Sequence, residues 1–530
     1  MRLHCSVPLA ALAVACCCLS SVTMAQVLPQ SQTDSPWFKA GVESINAKVE
    51  VRFGARAKNV ILFVGDGMGI STLTASRILE GQLDGMPGEE NYLSFETFPH
   101  TALVKTYNVD AQTPDSAGTM AAMISGIKTD AGTVGVDEDV ERGECGTLAG
   151  NEVVTALELA EIKGYATGIV STARITHATP AATYAKSVDR NWEDVSDMPE
   201  GAVTAGCEDI ASQLVAFEDR VEARFGNVDI NGIDVVMGGG RRHFLPNVEA
   251  ANSLDARSAV EGDRTDNRNL VDEWLSRYPD GTYVYDKAGF DAIGPDASRV
   301  FALFNESHMQ YAIDRANDIA GEPSLTEMTS KAIALLSKNE SGFLLVVESG
   351  RIDHAHHAGN AYGALHETIE FSDAVQAAYQ ATNPDETLIM VTADHSHVFT
   401  IAGYPKRGNP ILGKVVPVGF NNVSVDAEGL PYTTLGYTNG RGFMNLGQAT
   451  NPDEVYDLGI NTGRFDLNPV NTTTPGFHQE ALVPLASETH AGEDIALHAT
   501  GPGSQLVRGV IEQNVVFHVI NQALRLASTN

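Results

Sequence analysis

The chain has 530 residues, of which 43% are hydrophobic and 19% charged, with 49 Gly and 22 Pro. That is too apolar for a disordered protein and too poor in Pro and periodic Gly for a fibre. A formal net charge of −33 excludes nucleic acid and anionic membrane as natural partners and suits an exported protein kept soluble by self-repulsion.

Arg2 precedes an apolar run over 7–19, followed by small residues up to Ala25, so residues 1–25 read as a secretory signal. The run is too short to span a bilayer, and no other stretch reaches the roughly 18 apolar residues that a membrane helix needs. No transmembrane span is therefore expected, and Cys16 after Val14-Ala15 is only a loose match to a lipid-anchoring site. Four of the six cysteines fall in the first 18 residues. The remaining two, Cys145 and Cys207, are expected to form one disulfide in an oxidising compartment.

Residues 26–530 read as one large domain. Residues 34–56 read as an amphipathic N-terminal helix outside the sheet pattern. Five continuous apolar runs, 60–64, 166–171, 235–237, 343–347 and 388–392, read as buried parallel strands. Helical patterns over 152–163, 324–337 and 361–381 alternate with them. This predicts an α/β fold, a doubly wound and mostly parallel central sheet with helices on both faces. Residues 403–485, rich in Gly, Asn, Pro and Thr, read as an insertion of loops and short strands that splits the last part of the sheet.

Ligands bind beyond the carboxyl ends of the strands in open parallel sheets. The first run leads into Asp66-Gly67-Met68-Gly69, the fourth into Glu348 and then Asp353-His354-Ala355-His356-His357, and the fifth into Asp394-His395. Three strands thus deliver Asp, Glu and His to one edge. Asp353 and His357, four apart on a helix, face the same way, as two ligands of one ion must. Carboxylates with imidazoles are the ligand mix of zinc, and oxygen-only corners suit magnesium.

Ser116 stands where a helix of small residues begins. Alone it reads as a helix cap, but beside a metal ion it becomes a candidate nucleophile. No local histidine supports a Ser-His-Asp triad. Thr176-His177-Ala178-Thr179 offers hydroxyls and an imidazole, and Arg190 a guanidinium fork for two phosphate oxygens. Gly238-Gly239-Gly240-Arg241-Arg242 lacks the Gly-Lys-Ser/Thr ending of a phosphate loop and reads as a tight strand exit.

The stretches 64–69, 113–119, 347–354, 392–395 and 488–494 resemble motifs of the alkaline phosphatases, most closely the animal tissue-type enzymes. The resemblance runs in the same order from about residue 37 to the C-terminus and is weakest over 245–300 and 410–480. It implies two zinc sites and one magnesium site. Asp353, His357 and His490 would hold one zinc, and Asp66, Asp394 and His395 the other, beside Ser116. Asp66, Thr179 and Glu348 would hold magnesium, with His177 close by. Ser116 would carry a phosphoserine intermediate of phosphate monoester hydrolysis, with Arg190 clamping the phosphate and Asp115 and His354 at the substrate. The resemblance also implies a homodimer, with residues 403–485 as a crown near its axis.

Two departures stand out. Ser349 replaces the usual Gly of a Glu-Gly-Gly run. Animal members also bear a fourth, calcium-like site with an acidic residue directly after a Phe, whereas here Phe304 is followed by Asn305. One fewer carboxylate predicts weak or absent calcium binding, with Glu306 and Glu322 the nearby acids. Asn305-Glu306-Ser307 is also a glycosylation sequon. The same metal core serves phosphodiesterases and sulfatases, but Ser116 does not head the sulfatase pattern C/S-x-P-x-R. A diester lacks the extra oxygens that Arg190 would clamp. A non-catalytic binding protein on this fold would be expected to have lost Ser116 or a ligand.

Overall fold

The computed structural model describes residues 28–46 and 56–527. The signal expected over 1–25, with Cys16, lies outside them. Among the described residues a ten-stranded sheet forms the centre. Its strands include β1 (Asn59–Gly65), β2 (His100–Lys105), β3 (Ala166–Arg174), β4 (Val235–Gly239), β5 (Thr282–Val284), β6 (Val300–Leu303), β7 (Phe343–Ser349) and β8 (Thr387–Ala393), and then Ile495–Thr500 and Gly509–Glu512. Across the sheet, β8-β1-β7-β3-β4-β6-β5 run parallel. Ile495–Thr500 joins antiparallel to both β8 and β2.

The expected α/β fold is thus present, and all five apolar runs are strands of its parallel part. Helices on both faces bury β7 and β8 completely, which is why the runs 343–347 and 388–391 within them are apolar at successive positions rather than at every second one. The strands that no apolar run announced have their own reasons. In β2, next to the edge strand Gly509–Glu512, residues alternate between covered and exposed from Thr101 onward, while β5 and β6 are only three and four residues long.

Helix boundaries follow caps. The helix expected over 152–163 begins only at Ala156, because Thr155 and Glu158 form a capping box there. Ser324 and Glu327 do the same for Leu325–Leu336, and Asn360 caps Ala361–Ala381. In the N-terminal segment the described residues form two helices, Gln30–Asp34 and Pro36–Asn46, and 47–55 lie outside the description. Phe38 is 2% exposed and its ring lies 6.0 Å from Phe517 and 4.8 Å from His518. Burial of such a ring contributes about 2–3 kcal/mol. Gly41 is required by this contact, since a Cβ there would come within 2.3 Å of His518 Nε2.

Between β8 and Ile495–Thr500 the chain builds a small sheet from Phe399–Ile401, Leu435–Gly440 and Ala481–Pro484, which carries the insertion read from the sequence. Cys145 and Cys207 are bonded across a 62-residue separation. They pack on a satellite core that includes Val136, Val188 and Trp192, two residues beyond Arg190. Chain entropy gives such a loop roughly 4 kcal/mol. Cys207→Ser is therefore expected to lower the denaturant-derived stability by about that amount. Equal stability of the variant and parent under non-reducing conditions would contradict it.

Candidate active site

The register of the sheet makes the site. Val64 is level with Glu348 on one side and Thr392 on the other, and Ser171 is level with Glu348. The residues just past these points therefore gather at one carboxyl edge. Asp66 follows β1, Glu348 lies near the end of β7, and Asp394 follows β8. Gly67 has φ +69°, and a Cβ on it would lie 2.3 Å from His397 Nε2, so only glycine lets this turn pass the site. Its N–H donates to Asp394 Oδ1 at 2.9 Å, as does the N–H of His395 at 2.8 Å.

Ser116 is the first residue of the helix Ser116–Ser125, and the cap is Asp115, whose carboxylate accepts from the Ala117 and Gly118 N–H groups. The cap role that Ser116 alone suggested thus belongs to its neighbour, which leaves the Ser116 hydroxyl free to face the site. Ser116 Oγ lies 3.1 Å from His395 Nε2 and 3.5 Å from Asp66 Oδ1. Arg190 Nη1 donates to Asp115 Oδ2 at 3.0 Å, and its Nη2 lies 3.0 Å from His177 Nε2. Burial works against the Asp115 charge, but the Arg190 guanidinium and backbone N–H groups hold its carboxyl below the usual range.

Two histidine tautomers can be assigned from their partners. His357 Nδ1 lies 2.7 Å from the Glu488 carbonyl and His490 Nδ1 2.8 Å from the Pro114 carbonyl. A carbonyl only accepts, so each Nδ1 carries a proton, and in the neutral form of each ring, the form a cation binds, Nε2 carries the lone pair. Those two lone-pair atoms lie 3.1 Å apart, with Asp353 Oδ1 at 3.3 and 3.4 Å from them. Three electron-pair donors thus converge, the arrangement a cation satisfies; against burial, the Asp353 carboxylate pushes His357 up toward holding a proton in its place. Beside them Asp66, Asp394 and His395 offer ligand atoms within 4.8 Å of one another, as do Asp66, His177 and Glu348.

The oxygen corner shows the same need. Asp66 Oδ2, Thr179 Oγ1 and Glu348 Oε1 are buried without a hydrogen-bond partner, and so is His177 Nδ1. Burial, then the charges of Asp394, Asp353 and Glu348, push the Asp66 carboxyl well above its ordinary value. Glu348 is pushed up to about 7, chiefly by burial. His395 is driven well below the imidazole range by burial and by His490, so it stays a neutral donor of electron pairs. The donor set therefore fits bound cations. Every active-site residue expected from the sequence is drawn into this one constellation. His354 stands on its His177 side, with the two ring centroids 5.6 Å apart.

A family model for alkaline phosphatase matches residues 57–526. The chain belongs to the alkaline phosphatase family. It is 40% identical over 523 residues to the tissue-nonspecific isozyme of Homo sapiens, covering 97% of this chain and 92% of that protein. It is 41% identical over 514 residues to the isozyme of Gallus gallus, covering 95% and 92%. Among solved structures, the Thermus thermophilus alkaline phosphatase shares the fold with a TM-score of 0.60 at 22% identity, covering 94% of this chain and 96% of that one. The alkaline phosphatase of the Antarctic bacterium TAB5 gives 0.57 at 21%, covering 89% and 100%. The family's reaction, hydrolysis of phosphate monoesters, comes with membership at this coverage.

The alkaline phosphatase site also uses residues that sequence reasoning passed over. His397 Nε2 lies 2.8 Å from Asp353 Oδ1 and its Nδ1 2.6 Å from Glu488 Oε2. Burial would lower His397, but the Glu488 and Asp353 carboxylates push it up to about 10. It thus holds Asp353 in place from behind. The available signal was its position two residues beyond His395, which a short strand, Ser396–His397, puts at the same edge. Ser349 is buried with its hydroxyl unpartnered, and nothing in the structure explains it.

The fourth, calcium-like site does not fit. Asn305 Nδ2 donates to Glu322 Oε1 at 2.8 Å, and the Gln310 N–H donates to Glu322 Oε2 at 2.8 Å. Both carboxylate oxygens are committed, and burial pushes Glu322 up to about 7. Glu306 accepts from the Arg257 N–H at 3.3 Å instead of turning in. Asn305 is only 3% exposed, so the sequon it heads is folded away from any glycosylating enzyme. Calorimetry on metal-loaded enzyme is expected to show no tight calcium step. A micromolar step abolished by Glu322→Ala would contradict this.

Proposed function

We propose that the enzyme cleaves phosphate monoesters through a phosphoserine on Ser116, with two zinc ions and one magnesium ion bound and Arg190 clamping the phosphate. The observation that carries this reading is Ser116 Oγ itself. It sits at the first turn of a helix, within 3.5 Å of both His395 and Asp66, while Arg190 stands over the cap residue beside it.

Asp353, His357 and His490 would hold one zinc, Asp66, Asp394 and His395 the second, and Asp66, Thr179 and Glu348 the magnesium, with His177 beside it. Such ions supply positive charge that lowers the pKa of a nearby hydroxyl and offsets charge growing on phosphate oxygens. The chain does the rest. Ser116 Oγ gives up its proton and forms a bond to phosphorus as the bond to the alcohol oxygen breaks, and one proton, equal to the one Ser116 lost, returns from solvent to the departing alcohol. Water then bonds to phosphorus as the bond to Ser116 Oγ breaks, one water proton restores the serine hydroxyl, and inorganic phosphate is released. The N-terminal end of the helix behind Ser116 adds partial positive charge toward the anion. Asp115 caps that helix and orients Arg190, so one carboxylate aligns nucleophile and clamp. A guanidinium fork matches two non-bridging oxygens, which a monoester has to spare and a diester does not. His354 lies on the Arg190 side of the pocket.

A homodimer is proposed with this reading. The insertion exposes Tyr404 (91%), Val418 (74%), Phe420 (65%) and Leu482 (81%), an apolar load for a second copy to cover. Export fits the apolar N-terminal run and the Cys145–Cys207 bond. Among the described residues no helix is long and apolar enough to cross a membrane.

Turnover of an aryl phosphate beside the matching diester, before and after chelation, tests the proposal. Rapid monoester cleavage that chelation removes and zinc with magnesium restores is expected. Turnover of the diester alone would overturn it.

A further inference from the structure

The glycine run Gly238-Gly239-Gly240 has no part in the reaction above, yet it admits a side chain to the site. A Cβ on Gly239 would lie 2.2 Å from the Ser307 carbonyl and 3.1 Å from Met309 N. Gly240, at φ +96°, donates its N–H to that same carbonyl at 2.7 Å. The loop after β6 therefore crosses directly over the end of β4, in a space only glycines leave open. Met309 N then bonds the Thr172 carbonyl at 3.0 Å, which docks the loop on β3 as well.

The residue carried in is His308. Its ring centroid lies 4.1 Å from His354 and 5.3 Å from His177, so three imidazoles close against one another. Arg174 fixes it from behind. The Arg174 backbone N–H lies 3.2 Å from His308 Nδ1 and its guanidinium stands beside Nε2; a neutral imidazole accepts at one of these two nitrogens. That guanidinium is itself gripped by Glu193 through two bonds, at 2.8 and 2.5 Å. Glu193 accepts in turn from the buried Thr176 hydroxyl at 2.6 Å. On the far side His354 Nδ1 accepts from Arg351 Nη1 at 3.0 Å, and Arg351 is bonded to Asp453 at 2.8 Å. His354 is thus gripped between Arg351 and the His308 ring, and His177, which touches Arg190, rests on both imidazoles.

We propose that His308 is a positioning residue for phosphate binding, holding His354 and His177, and through His177 the Arg190 guanidinium, in their phosphate-facing places. The inference rests on the phosphomonoesterase reading above. His308 does not touch Ser116 or the groups around it, so it acts on the clamp and not on the nucleophile. An interaction that serves bound phosphate equally in ground state and transition state appears in KM and not in kcat.

Kinetics and binding of His308→Ala and His308→Asn test this, both compared with the parent as metal-loaded enzyme. His308→Ala is expected to raise KM for an aryl phosphate and the inhibition constant of inorganic phosphate in parallel, by roughly five- to tenfold, the scale of one lost polar contact. Its kcat is expected to stay within about threefold. Asn keeps an acceptor for the Arg174 N–H and is expected to recover part of the loss. Calorimetric titration of inorganic phosphate into metal-loaded Ser116→Ala, with and without His308→Ala, reads the same weakening without turnover. Unchanged KM and phosphate affinity in both variants, or a loss confined to kcat, would overturn the proposal while leaving the phosphomonoesterase reading intact. A parent without monoesterase activity would overturn both.

Discussion

Ser116→Ala is expected to lose nearly all monoesterase activity, by roughly a thousandfold or more, the scale on which losing a covalent nucleophile shows. The fold should survive. The helix cap is Asp115, which keeps both of its N–H partners when the Ser116 hydroxyl is gone. The hydroxyl touches only His395 and Asp66 across the site and Thr119 bonds the Ser116 carbonyl, which remains. The stability change should therefore stay within about 1 kcal/mol. Metal content should also hold, because carboxylates and imidazoles supply the ligand atoms and Ser116 adds only a hydroxyl. Labelled phosphate trapped on the parent at low pH should be found on Ser116. Label on any other residue would sink the phosphoserine mechanism, and full activity in the variant would do so without the trap.

The central strands were legible because of where they lie. A strand covered on both faces has no solvent side to record, so β1, β7 and β8 appear as unbroken apolar runs. The antiparallel side of the sheet was not legible for the converse reason. In β2 exposed residues interrupt the run, and Ile495–Thr500 finds its antiparallel place only after an insertion of about a hundred residues closes back on the sheet. The candidate site divides the same way. Asp353 and His357 are neighbours on one helical turn, a distance that sequence spacing encodes directly. His490 reaches them from 133 residues beyond His357, and local spacing carries no trace of that approach. It was named only through the resemblance of its motif. His397 and His308 were missed differently. His397 does its work through Asp353, and its one local mark is its place two residues beyond His395. His308 sits in a loop without periodicity, and its contact with His354 exists because two glycines on another strand let that loop pass.

Asp353→Ala should have the second large effect, on metal content and activity together. Asp353 Oδ1 is shared by His357, His397 and His490, at 3.3, 2.8 and 3.4 Å. Burial alone would raise this carboxyl, but the three imidazoles hold it well below its usual range. It is therefore an anion at any working pH, and the only charged member among the three donors proposed for that zinc. Without it two neutral Nε2 atoms remain, and two are too few for a site that needs three protein ligands and one open position. The loss also strands His397. Its pKa of about 10 rests on Glu488 and Asp353 together, and breaking one arm of a buried charged network costs about 3–5 kcal/mol. The variant is expected to lose one of two zinc ions on dialysis, to fall in activity in step with that loss, and to unfold at a lower temperature. His397→Gln separates the two effects, since it leaves every proposed ligand present and removes only the support behind Asp353. That change should weaken zinc retention by roughly 10- to 100-fold and be rescued by excess zinc, as expected of a residue that orients a ligand. Metal analysis by mass spectrometry after dialysis, read beside activity over a series of free zinc concentrations, decides the matter. Undiminished zinc in Asp353→Ala would remove Asp353 from the site.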